Sequence, residues 1–74
     1  MVIATNARAL RLAKGLTQAQ VAQRLGVDRA HVSALETGQR NPTAVSLWEI
    51  AQALEATVSE LVADPPSRLG HLES

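Results

Sequence analysis

Cysteine is absent from the 74 residues, so neither a disulfide nor a thiolate metal site can supplement a small core. Phenylalanine and tyrosine are absent as well, and Trp48 is the sole aromatic residue. Alanine, leucine and valine must therefore build the interior of a chain that is 46% hydrophobic, which suits short helices packed closely together. No apolar run approaches the ~20 residues of a membrane-spanning helix, and no signal-peptide pattern is present. These absences lead to the expectation of a soluble cytoplasmic protein with no membrane partner. Strand-like alternation, internal repeats and low-complexity tracts are missing too. The length allows one domain with one modest core.

Catalysis and metal binding find no support. His31 and Ser33 lie two apart on a short predicted helix, which sends their side chains to different sides. His31 and His71 have no cysteine or carboxylate at ligand spacing. No catalytic residue, metal or cofactor is expected.

The formal net charge is zero, but its distribution is uneven. Residues 1–42 carry Arg8, Arg11, Lys14, Arg24, Arg29 and Arg40 against Asp28 and Glu36, a balance of +4. Residues 43–74 carry Arg68 against Glu49, Glu55, Glu60, Asp64 and Glu73, a balance of −4. Such asymmetry points to one face for a polyanion and another for a different use.

Five helices can be read. The first covers roughly residues 3–14, with Ile3, Ala7 and Leu10 on one face and Gly15 as its stop. The second opens at Thr17, where "TQAQ" is a capping box; Val21, Ala22 and Leu25 face inward and Gly26 supplies the left-handed end. Asp28 caps the third, which buries Val32 and Leu35 and stops at Gly38. Thr43 caps the fourth, where Leu47, Ile50, Ala51 and Leu54 recur at core spacing. Thr57 opens the last with "TVSE", a second capping box, carrying Val58 and Leu61 until Asp64-Pro65-Pro66 ends it. The prediction is an all-α, five-helix domain over residues 1–63, followed by a short tail, 64–74.

The second and third helices are joined by only Gly26, Val27 and Asp28, a local signature of a helix-turn-helix. Ala22 must be small where the two axes cross, and Gly26 must permit positive φ. The stretch "LTQAQVAQRLGVDRAHVSALETGQRNPT", residues 16–43, resembles the phage-repressor class of helix-turn-helix proteins, the Cro/CI or XRE-type family. The resemblance extends over residues 3–63 and implies a lambda-repressor-like fold and binding of double-stranded DNA. It places Arg29, Ala30, Ser33 and Ala34 on base edges in the major groove. Gln18 matches a glutamine that contacts phosphate and braces the start of the recognition helix. Thr37, Gln39, Arg40, Asn41 and Thr43 match positions that touch the DNA backbone; His31, at the margin of the base-reading face, and Arg24 are expected to hold phosphates too. Arg11 and Glu36 match a structural ion pair tying the first helix to the third.

Among the outward residues of the third helix, only Arg29 can make a bidentate contact to guanine O6 and N7. Ala30 and Ala34 offer apolar contact to thymine methyls and allow close approach. The sequence departs from the family pattern at Ala7, where a larger aliphatic residue is usual. It departs also at Glu55-Ala56, which replace a glycine-containing turn, and at Gln39, where a basic residue is common. Trp48, with Glu55, Ala56 and Val58, is assigned to a homodimer surface, because the class pairs through the region after the fourth helix. The function expected is a small dimeric transcriptional regulator on a pseudopalindromic operator. The alternatives are the antitoxin of a toxin–antitoxin pair and an interaction adaptor that retains the fold. A toxin or a polymerase subunit is the candidate protein partner.

Overall fold

The computed structural model describes residues 2–63, and the tail at 64–74 with its Asp64-Pro65-Pro66 stop lies outside them. Five helices follow one another: α1 (Val2–Ala13), α2 (Gln18–Leu25), α3 (Arg29–Glu36), α4 (Ala44–Ala53) and α5 (Val58–Val62). The expected all-α, five-helix architecture is thus the observed one, with no strand among the described residues. No helix there is long and apolar enough to cross a membrane.

The helix starts obey their local chemistry. At α2 the Thr17 hydroxyl accepts from the Gln20 amide at 3.0 Å, while the Gln20 side chain accepts from the Thr17 amide at 2.8 Å. Thr57 and Glu60 repeat this reciprocal box at α5, at 3.0 and 2.9 Å. Asp28 accepts from the His31 amide at 3.0 Å, and Thr43 from the Ser46 amide at 3.1 Å. Each cap satisfies an otherwise orphaned N–H and contributes about 1 kcal/mol.

The ends of α1 to α4 follow one pattern, a left-handed residue after the last turn. At α2, Val27 N–H donates to Ala22 C=O at 3.0 Å and Gly26 N–H to Gln23 C=O at 3.3 Å, with Gly26 at φ 75°. A Cβ built on Gly26 would meet nothing within 4 Å, so the demand for glycine is conformational rather than spatial. At α4 the same pair of bonds recurs, Ala56 to Ala51 at 2.8 Å and Glu55 to Gln52 at 3.1 Å. Here the left-handed position, φ 57°, is held by Glu55. The turn that lacks its glycine in sequence therefore keeps its geometry.

The core gathers Ala7 from α1, Val21 and Ala22 from α2, and Val32 and Leu35 from α3. Ile50, Ala51, Ala53 and Leu54 join from α4 and its end, with Leu61 from α5. The buried alanines let axes approach closely in a chain with one aromatic residue. The inward face of α1 differs from the sequence expectation. Ile3 is only half-buried, whereas Ala4, Ala7, Asn6 and Arg11 are buried. The two polar members are admitted because both find partners. Asn6 Nδ2 donates to the carbonyls of Leu61 and Ala63, at 2.8 and 2.6 Å, and so latches α1 to the end of α5. α2 and α3 pack on each other, α1 crosses α3 and α5, and α4 lies against α2 and α5. This frame holds the helix-turn-helix from behind.

Candidate nucleic-acid interface

Val32, 2% exposed, and Leu35 anchor α3, and the Glu36 side chain is turned inward with them. Arg29, Ala30 and Thr37 are exposed, while His31, Ser33 and Ala34 are half-buried. Ser33 and Ala34 are therefore more covered than an outward face implies. Ala30, His31 and Ala34 line one shallow depression together with Arg40 from the following loop. Arg29 turns to the opposite flank, where its Nη1 lies 3.5 Å from Gln18 Oε1. The site thus has two sides, an alanine-floored side with His31 and Arg40, and a side with Arg29 beside Gln18.

Behind Arg29 runs a polar network. Arg11 and Glu36 form an ion pair, with Nε to Oε2 at 2.6 Å and Nη2 to Oε1 at 3.1 Å. Their side chains are 10% and 4% exposed. Arg11 Nη1 also donates to the Leu16 carbonyl at 2.9 Å, pinning the α1–α2 turn. Gln18 Nε2 donates to Glu36 Oε1 at 3.2 Å. One carboxylate near the end of α3 thus gathers α1, the start of α2 and α3 itself.

Arg24, expected on a phosphate, is turned elsewhere. Its Nη1 donates to the Ala53 carbonyl at 2.7 Å and to Glu55 Oε2 at 3.2 Å. The cause is the end of α4, where unpaired carbonyls and the negative end of the helix dipole attract a cation. Lys14 Nζ reaches the same turn, donating to the Glu55 carbonyl at 3.3 Å. Three of the six cations of residues 1–42 are therefore engaged by other parts of the chain, one of them buried. Arg11 is paired, and Arg24 and Lys14 face the α4–α5 turn. Arg29 and Arg40 are the arginines that flank α3.

The loop after α3 is divided in the same way. The Thr37 hydroxyl donates to the carbonyls of Ser33 and Ala34, at 3.0 and 3.3 Å. The Thr43 hydroxyl is engaged with Ser46. These two expected backbone contacts have hydroxyls already committed. Among the described residues, no hydrogen bond holds the side chains of His31, Gln39, Arg40 or Asn41. His31, Arg40 and Asn41 stand along a cleft of about 260 Å³ between α3, this loop and α4.

Trp48 is 58% exposed and Val45, one turn earlier, 68% exposed, so they form an apolar stripe along the outside of α4. Ala56 and Val58, grouped with Trp48 in the sequence reading, are half-buried and packed onto the core instead. Glu55 is held by Arg24. Sequence reasoning missed Asn6, Lys14 and Val45. Lys14 and Asn6 find partners 41 to 57 residues away, which no local pattern reveals. Val45 could have been found, since it shares an i, i+3 face with Trp48.

The helix-turn-helix family HTH_3 matches residues 8–61. The chain is 46% identical over 61 residues to an uncharacterized HTH-type transcriptional regulator, y4dJ, of Sinorhizobium fredii, covering 82% of this chain and 79% of that one. Among solved structures it is similar to a hypothetical transcription factor, NHTF, from Neisseria. That likeness has a TM-score of 0.82 and 34% identity, over 95% of this chain and 80% of the other. It is also similar to the restriction-modification controller protein C.AhdI from Aeromonas hydrophila. There the TM-score is 0.74 and the identity 41%, over 80% and 89% of the two chains. The capped α2–turn–α3 unit, its buried ion pair and these likenesses agree, and the chain belongs to the helix-turn-helix family of XRE-type, DNA-binding transcriptional regulators.

Proposed function

We propose that the chain regulates transcription in the cytoplasm as a homodimer, with α3 of each protomer in the major groove of a pseudopalindromic operator. The observation that carries this reading is the division of the cations. Arg11 is buried in an ion pair and Lys14 and Arg24 are bonded to the α4–α5 turn, while Arg29 and Arg40 flank the exposed surface of α3. Arg29 reads one guanine per half-site, Ala30 and Ala34 lie over thymine methyls, and DNA shape supplies the rest. Gln18, Arg40, Asn41, Gln39 and His31 hold backbone. The stripe of Val45 and Trp48 is the surface for a second copy, which doubles a readout that one short helix keeps small.

Selection of bound sites from random DNA at near-physiological salt tests this directly. A pseudopalindrome with half-site centres ~34–36 Å apart, one helical turn, is expected. Recovered sequences without a shared motif would overturn it. In the selected site, Arg29→Ala should cost ~1–3 kcal/mol and relax preference at one base pair per half-site. A uniform loss over all sequences would assign Arg29 to phosphate instead.

A further inference from the structure

The network behind Arg29 has a direction. An ionised carboxylate can only accept hydrogen bonds, whereas a glutamine amide donates from one end and accepts at the other. Glu36 Oε1 takes the NH2 end of Gln18, at 3.2 Å. The amide is then left with its oxygen pointing outward, and that oxygen is the atom facing Arg29 Nη1, at 3.5 Å. A reversed amide would set NH2 against a guanidinium, donor against donor, and would leave Glu36 facing a carbonyl oxygen. The buried Arg11 guanidinium completes the order by holding Glu36 as an acceptor, through contacts of 2.6 and 3.1 Å. Cation, anion, oriented dipole and cation thus alternate from α1 out to the tip of α3.

The links also lengthen outward, from 2.6 Å at the buried pair to 3.2 and then 3.5 Å at exposed Arg29. Hydrogen bonds weaken over that range, so the last link steers a long side chain and still lets it leave for a stronger bidentate partner. An arginine that is ordered beforehand loses less conformational freedom when it meets a base.

We propose that Glu36 is a positioning residue for base recognition: acting through the orientation of the Gln18 amide, it holds the Arg29 guanidinium in place on the flank of α3 before DNA arrives. The proposal rests on Arg29 reading a base, as set out above. Its content is the long-range dependence of that reading on a carboxylate seven residues along the helix and turned inward.

The test uses two variants. E36Q keeps the shape and can still bond Arg11, but its amide can either donate or accept, so Gln18 is no longer held one way round. Q18M removes the relay and leaves the ion pair intact, which covers the case in which E36Q does not fold. The first readout is 15N relaxation at Arg29 Nε in the free protein. The second is affinity for the selected operator and for single base-pair variants of it. Both substitutions should lower the Arg29 side-chain order parameter without DNA. Discrimination should fall about three- to tenfold at the Arg29 base pair, the scale of ordering one long side chain, and stay unchanged at the others. The double variant should lose no more than either single one. An unchanged Arg29 order parameter overturns the proposal, as does discrimination lost equally at every base pair; the phosphate contact assigned to Gln18 adds a uniform drop in affinity to Q18M, which leaves discrimination at the other base pairs as it was. Should the wild-type chain show no site preference, the function proposed above fails, while the relaxation of free Arg29 still decides whether Glu36 positions it.

Discussion

Arg24 and Arg29 lie five residues apart, in consecutive helices, and both side chains reach solvent, yet they do different work. Arg24 has a helix end within reach and takes the Ala53 carbonyl, while Arg29 has, among the described residues, the Gln18 amide oxygen at 3.5 Å. Counter-ion release separates them in solution. Arg40→Ala should flatten the dependence of log affinity on log salt by ~0.9 per protomer, the share of one phosphate contact. Arg24→Ala should leave that slope alone and cost roughly 0.5–1 kcal/mol of stability, a modest figure because its side chain is 39% exposed and screened by solvent. Salt titrations of binding together with urea unfolding check both arms. Glu55 is the other residue whose role follows from geometry. At φ 57° it occupies a region unfavourable for residues with a Cβ, and its exposed pair with Arg24 returns little. Glu55→Gly should therefore stabilise the fold by roughly 0.5 kcal/mol in urea melts, the relief of strain exceeding the entropy that glycine adds to the unfolded chain.

At the scale of elements, what could be read in advance was what neighbouring residues decide among themselves. Thr17 with Gln20, Thr57 with Glu60, Asp28 and Thr43 start their helices where their side chains say they should, because a cap is a contact across three residues. Gly15, Gly26 and Gly38 end helices for a backbone reason that is equally local. The inward face of α1 was not legible. Its choice of Asn6 over Ile3 depends on carbonyls of α5 that lie more than fifty residues later in the chain. The two sides of α3 divide in the same manner. Val32 and Leu35 follow from periodicity, whereas the flank taken by Arg29 depends on Gln18, and the side chain of Gln18 on Glu36. The join of α1 to α3 yields its own measurable outcome. Glu36→Ala would strand the Arg11 guanidinium, whose side chain is 10% exposed, and should cost about 3–5 kcal/mol by denaturant unfolding. Replacing both members by apolar residues of similar size should cost less than either single change, although the Leu16 carbonyl then loses its donor.

For the whole molecule, the decisive property is the number of surfaces a 74-residue chain can hold apart. One side carries α3 with Arg29 and Arg40, and the outside of α4 carries Val45 and Trp48. A charge placed in the second surface should separate protomers without touching the first. On the homodimer proposed above, the wild-type chain should sediment as a dimer and Trp48→Glu as a monomer that loses the extra affinity of a full operator over a half-site. The position of Trp48 has an optical consequence as well. With no tyrosine and no phenylalanine, this one indole accounts for all the aromatic side-chain absorbance and emission of the chain. It is already more than half in water when the chain is folded, so unfolding should change the emission colour little. A second protomer closing over it should shift the emission to the blue. Trp48 is thus placed to report on the proposed association rather than on folding, which is better followed by the circular dichroism of the five helices.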